Sequence, residues 1–158
     1  MQLNSLILDM MEYYKNDVKR ITHFLKVYRM AEFIAKSEKV SDVDMEILRI
    51  ASIIHDIGIK RSEEKYGDLS FHESEGESIA REFLSKLEYR DKIIDRVCYL
   101  VGNHHNYKDI DNIDYQILVE ADLLVNISEK KLKREQYTNI HSKIFNTKSG
   151  KLILEEIY

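Results

Sequence analysis

No proline occurs anywhere in this chain of 158 residues, and glycine occurs only five times. Proline breaks helices because its ring clashes with the preceding turn and it brings no N–H. A chain without it can run long helices at little cost. Apolar residues recur at helical spacing through most of the sequence, whereas no stretch alternates as a half-buried strand would. The expected fold is therefore all-α: a single helical bundle of about five core helices, with a helical C-terminal tail. The spacing predicts core helices over about Asp17–Ser37, Ser41–Ile57, His72–Leu87, Asp91–His104 and Asp114–Ser128. Ser41 is a natural N-cap, and Gly58 is expected to stop the second helix. A polar loop with a turn near Gly67 and Asp68 is expected to lead into the third.

The length fits one domain, with its core over about 17–128 and a basic extension over 129–158. That extension carries seven Lys/Arg against four Asp/Glu, while the rest carries 17 against 24, and it reads as a solvated helical tail. No apolar run approaches the roughly 20 residues of a membrane span. The stretch Met1–Met11 lacks a basic leader and a cleavage site, so it is expected to belong to the domain. A lone cysteine, Cys98, cannot form an internal disulfide, and a cytoplasmic location is expected. The net charge of −4 argues against a long nucleic acid as partner.

Chemistry concentrates in five of the six histidines, with two of the aspartates. The helix that is apolar on nearly every side ends in His55-Asp56. A carboxylate there is costly without a partner and faces the negative end of the helix dipole. Mutual capping of His55 and Asp56 would account for that pair alone. Asp122 repeats the anomaly on the apolar stripe of the fifth helix, where a buried arginine could pair with it. His23 borders the apolar face of the first helix, and His72 opens the third, one turn before Gly76. That glycine leaves room for another backbone or a bound group. His105 lies one turn after Val101 and is expected to point inward; the direction of His104 stays open. His141 stands apart and reads as surface. Each residue has an ordinary structural explanation, yet one metal centre of imidazole and carboxylate ligands explains all the others together.

The order His23, His55-Asp56, His72, His104-His105, Asp122 resembles the HD superfamily of metal-dependent phosphohydrolases. The stretch 55–58 matches its His-Asp-Ile-Gly form. The resemblance covers about residues 17–128. It implies a bundle of about five helices around His23, His55, Asp56 and Asp122 as ligands of a first metal. His72, with one or both of His104 and His105, resembles the added set of two-metal members, in which the aspartate matching Asp56 bridges both ions. Such members include the symmetrical diadenosine-tetraphosphate hydrolases and the HD-GYP cyclic-dinucleotide phosphodiesterases. The Gly-Tyr-Pro signature is missing here, and Ile59 replaces the lysine that follows the HDIG stretch in those phosphodiesterases. Both departures argue against cyclic-dinucleotide cleavage.

The expected function is hydrolysis of a phosphorylated small molecule, a nucleotide above all, by one or two divalent transition metals: iron, manganese, cobalt or zinc. Asp56 is the central catalytic residue. Arg20, whose Arg-x-x-His spacing to His23 resembles many HD phosphohydrolases, and Lys60 are the expected phosphate-binding cations, with Arg61 a weaker choice. Glu73 is a candidate proton relay. An HD-fold di-iron oxygenase and a non-catalytic nucleotide sensor are the alternatives that the ligand set leaves open.

Overall fold

The computed structural model describes residues 2–158, with Ile140 described by its backbone alone. Among the described residues it has nine α-helices and no strand: α1 (Gln2–Tyr13), α2 (Val18–Glu38), α3 (Asp42–Ile54), α4 (Ile59–Tyr66), α5 (His72–Lys86), α6 (Asp91–Asn103), α7 (Ile113–Glu129), α8 (Arg134–His141) and α9 (Lys148–Glu156). None is long and apolar enough to cross a membrane.

The helix starts are written in capping side chains. Asp17 accepts the Arg20 N–H at 3.1 Å to open α2, and Ser41 accepts that of Asp44 at 3.1 Å to open α3. Both satisfy donors that have no partner inside the helix. Helix α2 buries Phe24, Val27, Ala31, Ile34 and Ala35 along one stripe. Helices α3 and α7 are different: α3 is buried continuously over Ile50–Ile54 and α7 over Asp114–Val125. They pack against each other, and α2 packs on both. The antiparallel pair α5–α6 closes the other flank of α3. Helix pairs of this kind bury apolar stripes that no single helix could hide.

Three sequence expectations change, at the segment after Asp56, at Gly58 and in the basic tail. The segment after His55-Asp56 is a short helix, α4, in place of a polar loop. It lacks an apolar stripe and buries only Ser62, which ties it down by donating to the Asp68 carbonyl oxygen at 2.7 Å. Gly67, at φ 78°, ends α4 in the left-handed region that favours glycine. Gly58 is not a left-handed stop, since its φ is −76°; α3 ends at Ile54 and a tight turn carries His55 and Asp56 out of it. The N-terminal stretch forms α1, which buries Leu6 and Met10 and packs on α3. The basic tail is not merely solvated. Its Ile153 and Leu154 are buried, and α9 packs on α2 and α7 while its lysines face outward.

Candidate metal centre

The turn after α3 leaves His55 fully buried. Its Nδ1 lies 3.0 Å from the Ser52 carbonyl oxygen. A carbonyl only accepts, so Nδ1 carries a proton and Nε2 is the nitrogen left to face inward. His72 repeats the arrangement on the Leu69 carbonyl at 2.7 Å, and His104 on that of Val101 at 2.9 Å. The Nε2 atoms of His55, His72 and His104 are all buried without a hydrogen-bond partner. Buried polar atoms are normally satisfied, and three unpartnered imidazole nitrogens in one place call for a common partner.

The two carboxylates complete the cluster. Asp122 Oδ1 lies 3.1 Å from His23 Nε2 and 3.5 Å from His55 Nε2. Asp56 Oδ2 faces the same two nitrogens at 3.5 and 3.4 Å. Its other oxygen, Oδ1, turns to His104 Nε2 at 3.4 Å and His72 Nε2 at 3.9 Å. His105 Nε2 closes the ring at 3.9 Å from Asp122 Oδ2. Ligand atoms about 2.0–2.2 Å from one ion, roughly 90–110° apart, sit about 2.8–3.6 Å from one another. The distances from Asp56 and Asp122 to His23, His55 and His104 fit that requirement, and those to His72 and His105, at 3.9 Å, are slightly longer. His23, His55 and Asp122 form one group able to hold an ion, and His72, His104 and His105 form another.

Electrostatics agree with this geometry. Burial would push the His55 imidazole down, but Asp56 and Asp122 outweigh it and hold the group well above its usual range. Burial likewise opposes ionisation of Asp56 and Asp122, and the surrounding imidazoles overcome it to hold both carboxyls low. The pocket thus demands positive charge, which either protons or a cation can supply. His105 differs: burial and then the neighbouring His104 push it down to about 4, so it stays neutral.

The HD domain family profile matches residues 20–143, a stretch that contains every one of these side chains. The chain belongs to the HD domain family. Its structure is similar to the crystal structure of a predicted HD superfamily hydrolase from an uncultured Thermotogales bacterium, at a TM-score of 0.68. The two are 21% identical, over 98% of this chain and 82% of the other, and the likeness is one of fold. Among curated proteins none matches the chain.

Two glycines let this HD domain bring its second histidine group to the first. The Gly58 backbone lies against that of α5 at His72 and Gly76, and the close approach sets His72 beside Asp56. Just past α6, His104 is buried and His105 is more exposed, yet the His105 ring turns toward the cluster, with Nε2 3.9 Å from Asp122 Oδ2. Helix α6 ends at Asn103, so helical spacing from Val101 no longer fixes the direction of His105. His104 continues the buried positions Val97 and Val101, a signal present in the sequence.

Three supporting residues had escaped the sequence reading. Tyr14, from the end of α1, donates its hydroxyl to the Asp56 carbonyl oxygen at 2.6 Å. Asn126 donates to Asp122 Oδ1 at 2.9 Å from one turn along α7. Glu129 Oε2 lies 2.9 Å from His23 Nδ1. Glu129 and Asn126 share the helix face of Asp122, so their spacing was legible; nothing near Tyr14 in sequence marks it. Glu73 accepts the His105 backbone N–H at 2.9 Å.

The cluster opens into a cavity of about 360 Å³ walled by Ile59 and Leu69 on its apolar side. The expected cations fare unevenly. Arg20 reaches the wall, but Asp17 at 2.7 Å and Glu63 at 2.6 Å hold its guanidinium. Lys60 does not line the cavity: it donates to the Tyr13 carbonyl oxygen at 3.1 Å and lies over the Tyr13 ring. Its place just after the His-Asp pair suggested proximity, but the turn into α4 aims it at α1. Arg61 pairs with Glu75. His141 is half-buried, not exposed, and bonds Tyr137 away from the cluster. Lys19 and Lys130 line the cavity with no carboxylate partner among the described residues.

Proposed function

We propose that this HD-domain protein is a metal-dependent phosphohydrolase acting on a small phosphorylated molecule, with a nucleotide as the substrate class. The observation that carries the reading is the placement of Asp56, whose two carboxylate oxygens face two different groups of histidines. His23, His55, Asp56 and Asp122 are the proposed ligands of one ion, and His72, His104 and His105, with Asp56, those of a second. A donor set of nitrogen and oxygen without thiolate suits iron, manganese, cobalt or zinc. A divalent ion there supplies Lewis acidity, making water nucleophilic near neutral pH and polarising a phosphoryl oxygen.

The remaining chemistry belongs to the protein. Asp56 fixes the spacing of the two groups. Lys19 and Lys130 at the cavity wall attract and orient the anion. Arg20 adds positive charge that it shares with Asp17 and Glu63. Ile59 and Leu69 offer an apolar wall on which a nucleobase can rest. The cavity suits a compact anion, and the net charge of −4 disfavours an extended polyanion outside it.

The test is phosphate release, under anaerobic conditions, from a panel of nucleotides and other phosphoesters by protein loaded with each of the four metals. Cleavage of at least one class, abolished by chelation, is expected. Iron-dependent oxygen consumption with no cleavage in any condition would contradict it.

A further inference from the structure

We infer that Glu129 is a positioning residue for the proposed metal centre: it holds His23 in its ligating orientation and makes that imidazole a stronger donor. The inference rests on His23 being a ligand. Among the clustered histidines, His55, His72 and His104 place Nδ1 on a main-chain carbonyl oxygen. Of the five, His23 is the one whose Nδ1 lies within hydrogen-bond distance of a carboxylate, Glu129 Oε2, at 2.9 Å; the His105 Nδ1 is 3.9 Å from Glu73 Oε1. A backbone carbonyl fixes the tautomer and the ring. A carboxylate does that and also places a negative charge behind the ring, which raises the electron-pair donation of the opposite nitrogen. That opposite nitrogen, Nε2, faces Asp122 and Asp56.

The arrangement is built from two helices in register. Glu129 lies seven residues after Asp122, two turns along α7, so one face of α7 delivers both a proposed ligand and the group behind another. On α2, Lys26 stands one turn after His23. Its ammonium lies 3.0 Å from Glu129 Oε1, leaving Oε2 for the imidazole. The Glu129 side chain is 18% exposed, and its carboxylate is gripped from α2 at both oxygens. A carboxylate that served only to end α7 would not need that grip, and it would sit poorly at the negative end of the helix dipole.

The experiment is a cobalt(II) titration of the chelator-stripped, full-length chain, followed by visible absorption, for the wild type, Glu129→Ala, Glu129→Gln and His23→Ala. Glu129→Ala is expected to weaken cobalt binding about 10–100-fold and shift the absorption bands. Glu129→Gln keeps an acceptor for Nδ1–H without the charge, and should recover part of that loss. His23→Ala should bind far more weakly than any of them. Thermal melting of the metal-free variants checks that each is folded. If His23→Ala loses cobalt while Glu129→Ala binds within twofold of the wild type with unchanged bands, the inference is overturned. If His23→Ala itself binds like the wild type, the ligand assignment beneath it fails instead.

Discussion

Gly58 and Gly76 pack backbone against backbone: a Cβ on Gly58 would lie 1.9 Å from the His72 carbonyl oxygen and 2.4 Å from the Gly76 nitrogen. Main chain cannot swing aside as a flexible side chain could. The turn that carries His55 and Asp56 and the helix that starts at His72 are thereby fixed to one another. Gly58→Ala should therefore destabilise the metal-free protein by about 1–3 kcal/mol, the usual cost of overpacking. Urea unfolding of the metal-free variant measures this. Any surviving folded protein should also bind less metal at the His72, His104 and His105 group.

Metal binding should weaken as the solution is acidified. His55 is held well above its usual range by Asp56 and Asp122, against burial. Its Nε2 therefore keeps a proton to a higher pH than an isolated histidine would, and a metal must displace that proton. Affinity should fall steadily as pH drops from about 8 to 6, with proton release on binding in a weakly buffered solution. Affinity independent of pH across that range would remove His55 from the ligand set.

The sequence exposed the fold and much of the cluster because both depend on local spacing. Helical periodicity and the caps Asp17 and Ser41 mark α2 and α3, and a carboxylate on an apolar stripe marks Asp122 wherever the bundle closes. Contacts set by tertiary approach were not legible. Lys60 follows the His-Asp pair closely, yet the turn at Gly58 points it at Tyr13. Arg20 has the expected spacing from His23, but Glu63, on a helix that lacks an apolar stripe, pairs with it. Tyr14 reaches Asp56 from a helix with no capping signal. Which of His104 and His105 is the more buried depends on where α6 ends, the feature that helical periodicity fixes least well.

The cavity cations should separate in kinetics. Lys19 and Lys130 have no carboxylate partner among the described residues, whereas Arg20 has two. Lys19→Ala and Lys130→Ala should each raise KM for a cleaved phosphoester by about tenfold, as loss of a charge-assisted contact would. Arg20→Ala should weaken turnover less, and metal content should stay intact in all three. A larger loss in Arg20→Ala than in either lysine variant would mean that substrate draws Arg20 away from Asp17 and Glu63.

Cys98 should be inert in the native protein. It is fully buried in α6, and burial pushes its thiol up to about 11, far from the thiolate form that reacts. A thiol-specific chromogenic reagent should label almost none of the folded chain and one thiol per chain in denaturant. Rapid labelling of the folded protein would contradict the packing of α6 against α3.

Asp56 joins the two histidine groups, so metal content in its variant is the most direct measure of the centre. Elemental analysis of carefully loaded wild-type protein should approach two metals per chain, and Asp56→Ala, checked for folding by circular dichroism, should lose the metal along with the proposed phosphohydrolase activity. Retention of the full wild-type metal content in Asp56→Ala would contradict a centre built on that carboxylate.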